Sequence, residues 1–401
     1  MATWKELFDG RLVVQPPLSD EQLGEIPAKR GIVLLLAEDD QPIILLSSAD
    51  LRSKLRNRLQ EPPEESGPRK TADLKKITRE IRWQLAGSHF ENDLIYYRAA
   101  RALWPRPSDF SEMIAWKPAW FVHVNPEEQF PYFRRTRDVH GSDGHYLGPF
   151  PTGKAAERFV ASIEDAFDLC QDIQCLRRAP EGQTCAYAQM GKCLSPCDGS
   201  VPMERYREQI ERALGFARGR RREYEEQLHR QMQEAAKKLE FERAGSIKNR
   251  LERMSELDRA DYESVRPLEQ FRFLMVQSSG SRKRARVFFV HGGAVDCGGD
   301  LAMPLEPKAL EDMLTRAAEF QSRPGGTDRW LTGLVSRYLF SGGRRRGIVL
   351  RWSRDLTAEH LIEAVVRAQE ELGLGAVRPV EKEQSAADAS AVDSAKPAGQ
   401  D

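Results

Sequence analysis

An α+β chain divided into several small domains is what the sequence predicts, from three observations. Short apolar runs recur in pairs at residues 31–46 and again at 271–301; a proline-free stretch from residue 203 to about 257 repeats its apolar positions every three or four residues; and five of the six cysteines fall within 28 residues. Paired apolar runs divided by turn residues read as hairpin strands, and the second pattern as amphipathic helix. The expected order is a small α/β domain over residues 1–145, a cysteine-rich connector over 146–202, a helical hairpin or coiled coil over 203–262, a second small α/β domain over 263–378 and a disordered tail over 379–401.

Bulk properties narrow the function classes. The 401 residues are 40% hydrophobic, enough for two to four domains. Basic and acidic residues number 61 each, so the formal charge is zero and no global attraction to nucleic acid or anionic membrane follows. Any such binding needs local patches: Arg134, Arg135 and Arg137, then residues 218–222, 282–286 and 344–346. The ordinary role of one such run is a solvated surface. No run approaches 18 apolar residues, and the N-terminus lacks the basic-then-apolar order of a signal peptide, which predicts a cytoplasmic protein without membrane contact. Cysteines in that compartment are reduced thiols or ligands.

Along the chain, GIVLLL at 31–36 and PIILL at 42–46 flank the polar turn 38–41 and predict a β-hairpin. A helix follows at 49–59, where Leu51, Leu55 and Leu59 step by four among Arg and Lys. The proline-rich segment 61–68 breaks the pattern, and residues 72–85 and 90–103 suggest helix or mixed structure. Between 203 and 257 the apolar steps run through Tyr224, Leu228, Met232, Ala235 and Leu239, then Ala244, Ile247, Leu251 and Met254. Periodicity leaves one long helix and a hairpin equally open, and in either the stripe needs a partner. Strands are predicted at 271–276, 285–290 and 294–301, with Gly292 and Gly293 turning between the last two, then helices at 307–320 and 357–372 and a strand at 347–352.

The cysteines run Cys170, Cys175, Cys185, Cys193 and Cys197. Thiolates bind soft or borderline metals, and four complete a tetrahedral zinc site or hold an iron–sulfur cluster. The alternative is a set of buried thiols acting as small hydrophobes. Lys192, Pro196, Asp198 and Gly199 make the neighbourhood polar and turn-rich, which favours ligation.

The YLGPFP phrase at 146–151, the helix predicted after it at 152–167 and the run MGKCLSPC resemble the segment joining the N-terminal nuclease domain to the helical UVR domain in the UvrC family of repair nucleases. The resemblance implies a four-cysteine metal or iron–sulfur site, a 4Fe-4S cluster or zinc. Cys185, Cys193 and Cys197 match it residue for residue, with Cys170 or Cys175 as the first ligand. LEFERAGSIKNRL at 239–251 is similar to the UVR motif through which that family contacts UvrB. By that likeness Leu228, Met232, Leu239, Phe241, Ile247 and Leu251 would contact a UvrB-like partner. Gly245 stands where the motif usually has Ala, and a helical Gly costs about 1 kcal/mol relative to Ala, so a turn or close helix approach is expected there.

The same resemblance makes residues 1–145 a GIY-YIG-like domain. GIY-YIG nucleases need hairpin tyrosines, a basic helix residue and a metal-binding glutamate. Here those positions carry Val33, Ile44, Ser47, Lys54 and Tyr96, with Arg52 and Arg56 near the helix position and Glu91 the nearest substitute carboxylate. Val and Ile neither hydrogen-bond nor transfer protons, and a neutral phenol is a poor magnesium ligand. The family's ribonuclease-H-like domain has no room in the 49 residues after Trp352. The expectation is a non-catalytic repair protein that contacts DNA through arginines such as Arg52, Arg56, Arg134 and Arg135. Two other readings stay open: a structure-specific endonuclease with a rewired first domain, and a metal- or redox-responsive adaptor with no DNA role. GPFPTGK at 148–154 imitates a phosphate loop, but Ala155 lacks the magnesium-binding hydroxyl and two prolines remove backbone donors, so no ATP site is expected. The seven histidines show no metal-binding pairing.

Overall fold

A computed structural model describes residues 4–59, 73–139, 143–258, 262, 264–321, 327–341 and 347–375. The proline-rich segment 61–68, the arginine run 344–346 and the predicted tail lie outside the described residues. The architecture is α+β, with three four-stranded antiparallel sheets.

The first sheet has the order β1 (Gly10–Val13), β4 (Glu80–Leu85), β2 (Gly31–Leu36), β3 (Pro42–Ser48). Short helices α1 (Asp20–Gly24) and α3 (Leu74–Ile77) flank it, and α2 (Leu51–Leu59) covers one face. Strand β2 is buried throughout because it is covered on both sides. Alternate residues Val33 and Leu35 meet Leu51, Leu55 and Leu59 of α2, whereas Ile32, Leu34 and Leu36 meet Phe90, Leu94 and Tyr97 of α4 (His89–Leu103). The short helix α5 (Pro107–Phe110) follows.

The second sheet has the order β6 (Arg134–Thr136), β5 (Trp120–Val124), β7 (His145–Phe150), β8 (Arg266–Pro267). Its strands straddle two expected boundaries. Residue 145 begins a strand that pairs with Val124, and Arg266 pairs back onto Gly148. The divisions placed at 145 and 262 therefore cut through hydrogen-bonded ladders. Helix α6 (Gly153–Ala166) packs Ala156, Phe159 and Ile163 against this sheet, capped by the Thr152 side chain on the Ala155 amide. The phosphate-loop imitation is thus the end of a strand followed by a capped helix. Short helices α7 (Ile173–Leu176) and α8 (Ala186–Gln189) carry the cysteines onward.

The helical region resolves as α9 (Met203–Gly215), α10 (Arg221–Lys237) and α11 (Phe241–Ser255). Gly219, at φ 114°, interrupts the first junction. Leu239, at φ 60°, reverses the second, so the 224–239 stepping belongs to one arm of a hairpin and its partner is the other arm. The turn expected at Gly245 is not there: Gly245 lies inside α11, and a Cβ added to it would meet nothing within 4 Å.

The third sheet, β11 (Ala294–Ala302), β10 (Arg284–His291), β9 (Arg272–Ser281), β12 (Ile348–Arg351), matches the predicted strands. Gly292 and Gly293 both have positive φ, as a two-residue hairpin turn demands. One face buries Leu274, Val276 and Phe289 under α12 (Pro307–Glu319) and α14 (Ala358–Arg367). The other face sends Phe273, Met275 and Phe288 into the cluster that holds Phe90 and Leu34, with α13 (Arg329–Leu339) beside them. The first and third units therefore share one core instead of each owning its own.

Candidate functional site

Two regions hold the residues singled out in the sequence: the cysteine loop under α6 and the hairpin that leans on it. The loop is folded by local polar bonds. Asp198 accepts hydrogen bonds from Thr184, from Ser195 Oγ at 2.8 Å and from the Ser200 amide at 3.0 Å, which hold its carboxyl well below the usual carboxylate range, the Thr184 bond most strongly. The Gly182 amide donates to Cys197 O at 2.7 Å, closing the loop's two ends. A Cβ on Gly182 would sit 2.7 Å from that carbonyl, so the closure requires glycine.

Cys170, Cys193 and Cys197 are buried; Cys175 and Cys185 are half-buried. Cys170 Sγ donates to Asp172 O at 3.2 Å; its neighbour Cys193 raises the Cys170 thiol, and Cys170 in turn lowers that of Cys193. The Ser195 amide also donates to Cys193 Sγ at 3.4 Å. Burial pushes Cys197 up, and its thiol donates to Gln183 O at 3.6 Å. Cys175 faces outward instead: its thiol donates to Asp172 Oδ2 at 3.3 Å, and that carboxylate raises it to about 11. Cys185 is an electrostatic neighbour of Cys175, Cys193 and Cys197. The donor set suits a soft metal, yet among the described residues no three His, Cys, Asp or Glu side chains converge closely enough to hold one.

The hairpin is anchored to α6 by Arg250, whose Nε donates to Ala166 O at 2.9 Å, and by Arg253, 3.3 Å from Asp168. Its predicted contact residues divide into two groups. Leu228, Met232, Ile247 and Leu251 are half-buried along the helices. Leu239 and Phe241, at the turn, are 71% and 69% exposed. They are the two most exposed large hydrophobic side chains among the described residues.

The first unit's candidate positions are occupied structurally. Val33 is fully buried, and Ile44 packs against the same cluster. Ser47 Oγ accepts from Asn92 Nδ2 at 2.6 Å. Burial raises Tyr96, whose hydroxyl lies 3.5 Å from Leu45 O. Lys54 and Arg56 are exposed on α2, while Arg52 donates to Ile26 O at 2.8 Å. Glu91 is buried, accepting from the Gly87 amide at 2.7 Å and from Arg286, which also holds Asp300 at 2.8 Å. Arg134 is engaged bidentately by Glu128 at 2.9 and 2.8 Å, and Arg135 lies 3.8 Å from Glu157. Lys117, Arg337 and Phe340, which line a cleft with Arg137, do not stand out in the sequence. Lys117 is an isolated cation, and Arg337 and Phe340 lie three residues apart at the end of α13 with no charge run or motif to mark them.

Among the described residues no helix is long and apolar enough to cross a membrane. Two family models match the chain: the UvrC/Cho excinuclease middle domain over residues 119–216 and the UvrB/UvrC motif over residues 225–257. Similar curated proteins include the UvrABC system protein C of Moorella thermoacetica, 27% identical over 44% of this chain and 28% of the relative. That of Ruminiclostridium cellulolyticum is 24% identical over 69% and 44%, and that of Leptospira biflexa 28% over 59% and 37%. The chain thus spans less than half the length of these relatives. No solved structure matches.

Proposed function

Because the chain is a UvrC-like protein, carrying that middle domain and the UvrB/UvrC motif, we propose that it serves nucleotide excision repair as a non-catalytic subunit docking a UvrB-type partner. The observation that carries this reading is the hairpin turn. Leu239 and Phe241 stand open to solvent within the matched motif, while the remaining apolar stripe is half-covered by the hairpin itself. Two large apolar side chains at the turn of a rigidly anchored hairpin supply the buried centre that a protein interface needs.

The first unit is, in this reading, a GIY-YIG-like fold without its chemistry. Its hairpin presents Val33 and Ile44 to the core, and the nearest substitute carboxylate, Glu91, is committed to Arg286 and Gly87. No group at these positions could activate a nucleophile and hold a divalent ion together.

The cysteine loop is proposed to hold zinc or an iron–sulfur cluster through Cys170, Cys185, Cys193 and Cys197. Cys170 is preferred over Cys175 because it is buried against Cys193, whereas Cys175 turns toward Asp172. When bound, the metal would cross-link α6 to the base of the helical region. The residues themselves order the loop: Asp198 ties its hydroxyls and Gly182 closes it on Cys197.

The test is capture of purified UvrB by the full chain, with the Leu239→Asp/Phe241→Asp double variant as control, beside incubation with ultraviolet-damaged duplex and Mg²⁺ or Mn²⁺. Capture lost in the variant and no cleavage are expected. Cleavage by the wild-type chain, abolished in Glu91→Ala, would establish the rewired nuclease instead.

A further inference from the structure

A cleft of about 620 Å³ opens where the second sheet meets α13. Its walls meet closely because both carry glycine where they touch. A Cβ on Gly333 would lie 2.2 Å from Lys117 O, and one on Gly153 would lie 2.7 Å from the Trp120 ring. Lys117, Arg137 and Arg337 line the cleft, and no Asp or Glu does. In a chain with equal numbers of acids and bases, that separation of sign is a local electrostatic device.

Among the described residues none of the three cations pairs with a carboxylate. Arg337 donates to Ala115 O at 3.1 Å. Arg137 lies over the Trp120 ring at 4.3 Å, and its Nε is buried without an acceptor. The 14-residue helix α6 begins at the cleft with Gly153, where the positive end of its dipole adds to the same field. Phe340, 36% exposed, stands on the lining beside Arg337. Unpaired cations beside an open aromatic ring are the combination by which single strands are held, phosphates on the charges and a base on the ring.

We propose that this cleft binds a single-stranded nucleic acid, with backbone phosphates on Lys117, Arg137 and Arg337 and a base stacked on Phe340. The inference rests on the repair reading above and adds to it the place and the strand form of the nucleic acid. A mononucleotide is a poorer occupant: Pro149 and Pro151 remove backbone donors from the strand leading into α6, and Ala155 offers no hydroxyl.

The experiment is fluorescence anisotropy of a labelled oligothymidylate of about 16 nucleotides with the full chain, across a salt series. The Lys117→Glu/Arg337→Glu variant is expected to bind at least about tenfold more weakly at low salt. Its slope of log affinity against log salt should fall by roughly 1.4, at about 0.7 for each phosphate no longer neutralised. Phe340→Ala should weaken binding about fivefold or more and leave that slope unchanged. Wild-type affinity in both variants, no binding by the wild-type chain, or preference for the duplex over the strand would overturn the proposal. Capture of UvrB is measured on the same variants. No hairpin residue lines the cleft, so failure here with capture intact refutes the cleft alone, and loss of capture in the hairpin variants has no bearing on it.

Discussion

Replacing Glu91 by alanine separates a structural carboxylate from a catalytic one. Glu91 is 7% exposed and holds two groups from different units, the Gly87 amide at 2.7 Å and the Arg286 guanidinium. Breaking a buried ion pair by deleting one partner costs about 3–5 kcal/mol, because the other charge is left unpaired. Here the loss is smaller, since the Arg286 side chain is 30% exposed and keeps Asp300. We expect about 2–3 kcal/mol for Glu91→Ala, a fall of roughly 4–12 °C in Tm at 2–4 °C per kcal/mol for a large domain. Glu91→Gln keeps an acceptor for the Gly87 amide and should cost about 1–1.5 kcal/mol. Thermal melts followed by far-ultraviolet circular dichroism measure both. A Tm unchanged within error in Glu91→Ala, with loss of Mg²⁺-dependent nicking shown by the wild type, would refute the structural assignment and make this carboxylate a metal ligand.

Further outcomes are expected. Leu239→Gly should leave the hairpin as stable or more so, by up to about 1 kcal/mol, because a left-handed residue without a Cβ is unstrained. It should nevertheless weaken UvrB binding about tenfold or more, as burial of a leucine contributes roughly 1.5–3 kcal/mol; calorimetric titration beside a melt reads both, and unchanged affinity would move the interface elsewhere. Cys193→Ser and Cys170→Ser should each lose the bound metal in elemental analysis and any iron–sulfur absorption, while Cys175→Ser keeps them; the reverse result would make Cys175 the first ligand. His145 is held below the ordinary imidazole range by burial and by Arg218. The folded chain therefore prefers the neutral ring, while the unfolded chain takes up a proton near about pH 6.5. This stability is present above that pH and lost as pH falls below it. Urea melts from neutral to mildly acidic pH should show a shallower decline for His145→Gln than for wild type; parallel curves would exclude the ring as a contributor.

Local chemistry is legible wherever neighbours in sequence are neighbours in space. The 31–48 hairpin, the leucines of α2 and the Gly292–Gly293 turn follow from alternation, fourfold stepping and positive φ. Helix α13 is absent from the predicted elements although Trp330, Leu331, Leu334, Val335, Tyr338 and Leu339 repeat at helical spacing behind the Asp328 cap. The sheet over 120–150 is absent for a different reason. Its strands are short, β5 pairs on one side with β6 and on the other with β7, and β8 returns to the sheet only after the helical region. The hairpin turn falls at Leu239 and not at Gly245, because glycine is the residue that usually supplies positive φ, whereas here a leucine adopts it.

By itself, then, the sequence determined the cysteine order, the amphipathic period of the helical region and the paired apolar runs at 31–46, since each is a property of side-chain type at fixed spacing. Tertiary structure alone decided which cysteines lie buried together, that Glu91 is bound to Arg286, and that the first and third units bury one another's faces. It also gathered Lys117, Arg137 and Arg337 from three separate segments into a cleft free of acids. Charges act through space, so a patch assembled from single residues far apart in the chain leaves no trace in the chain's local pattern.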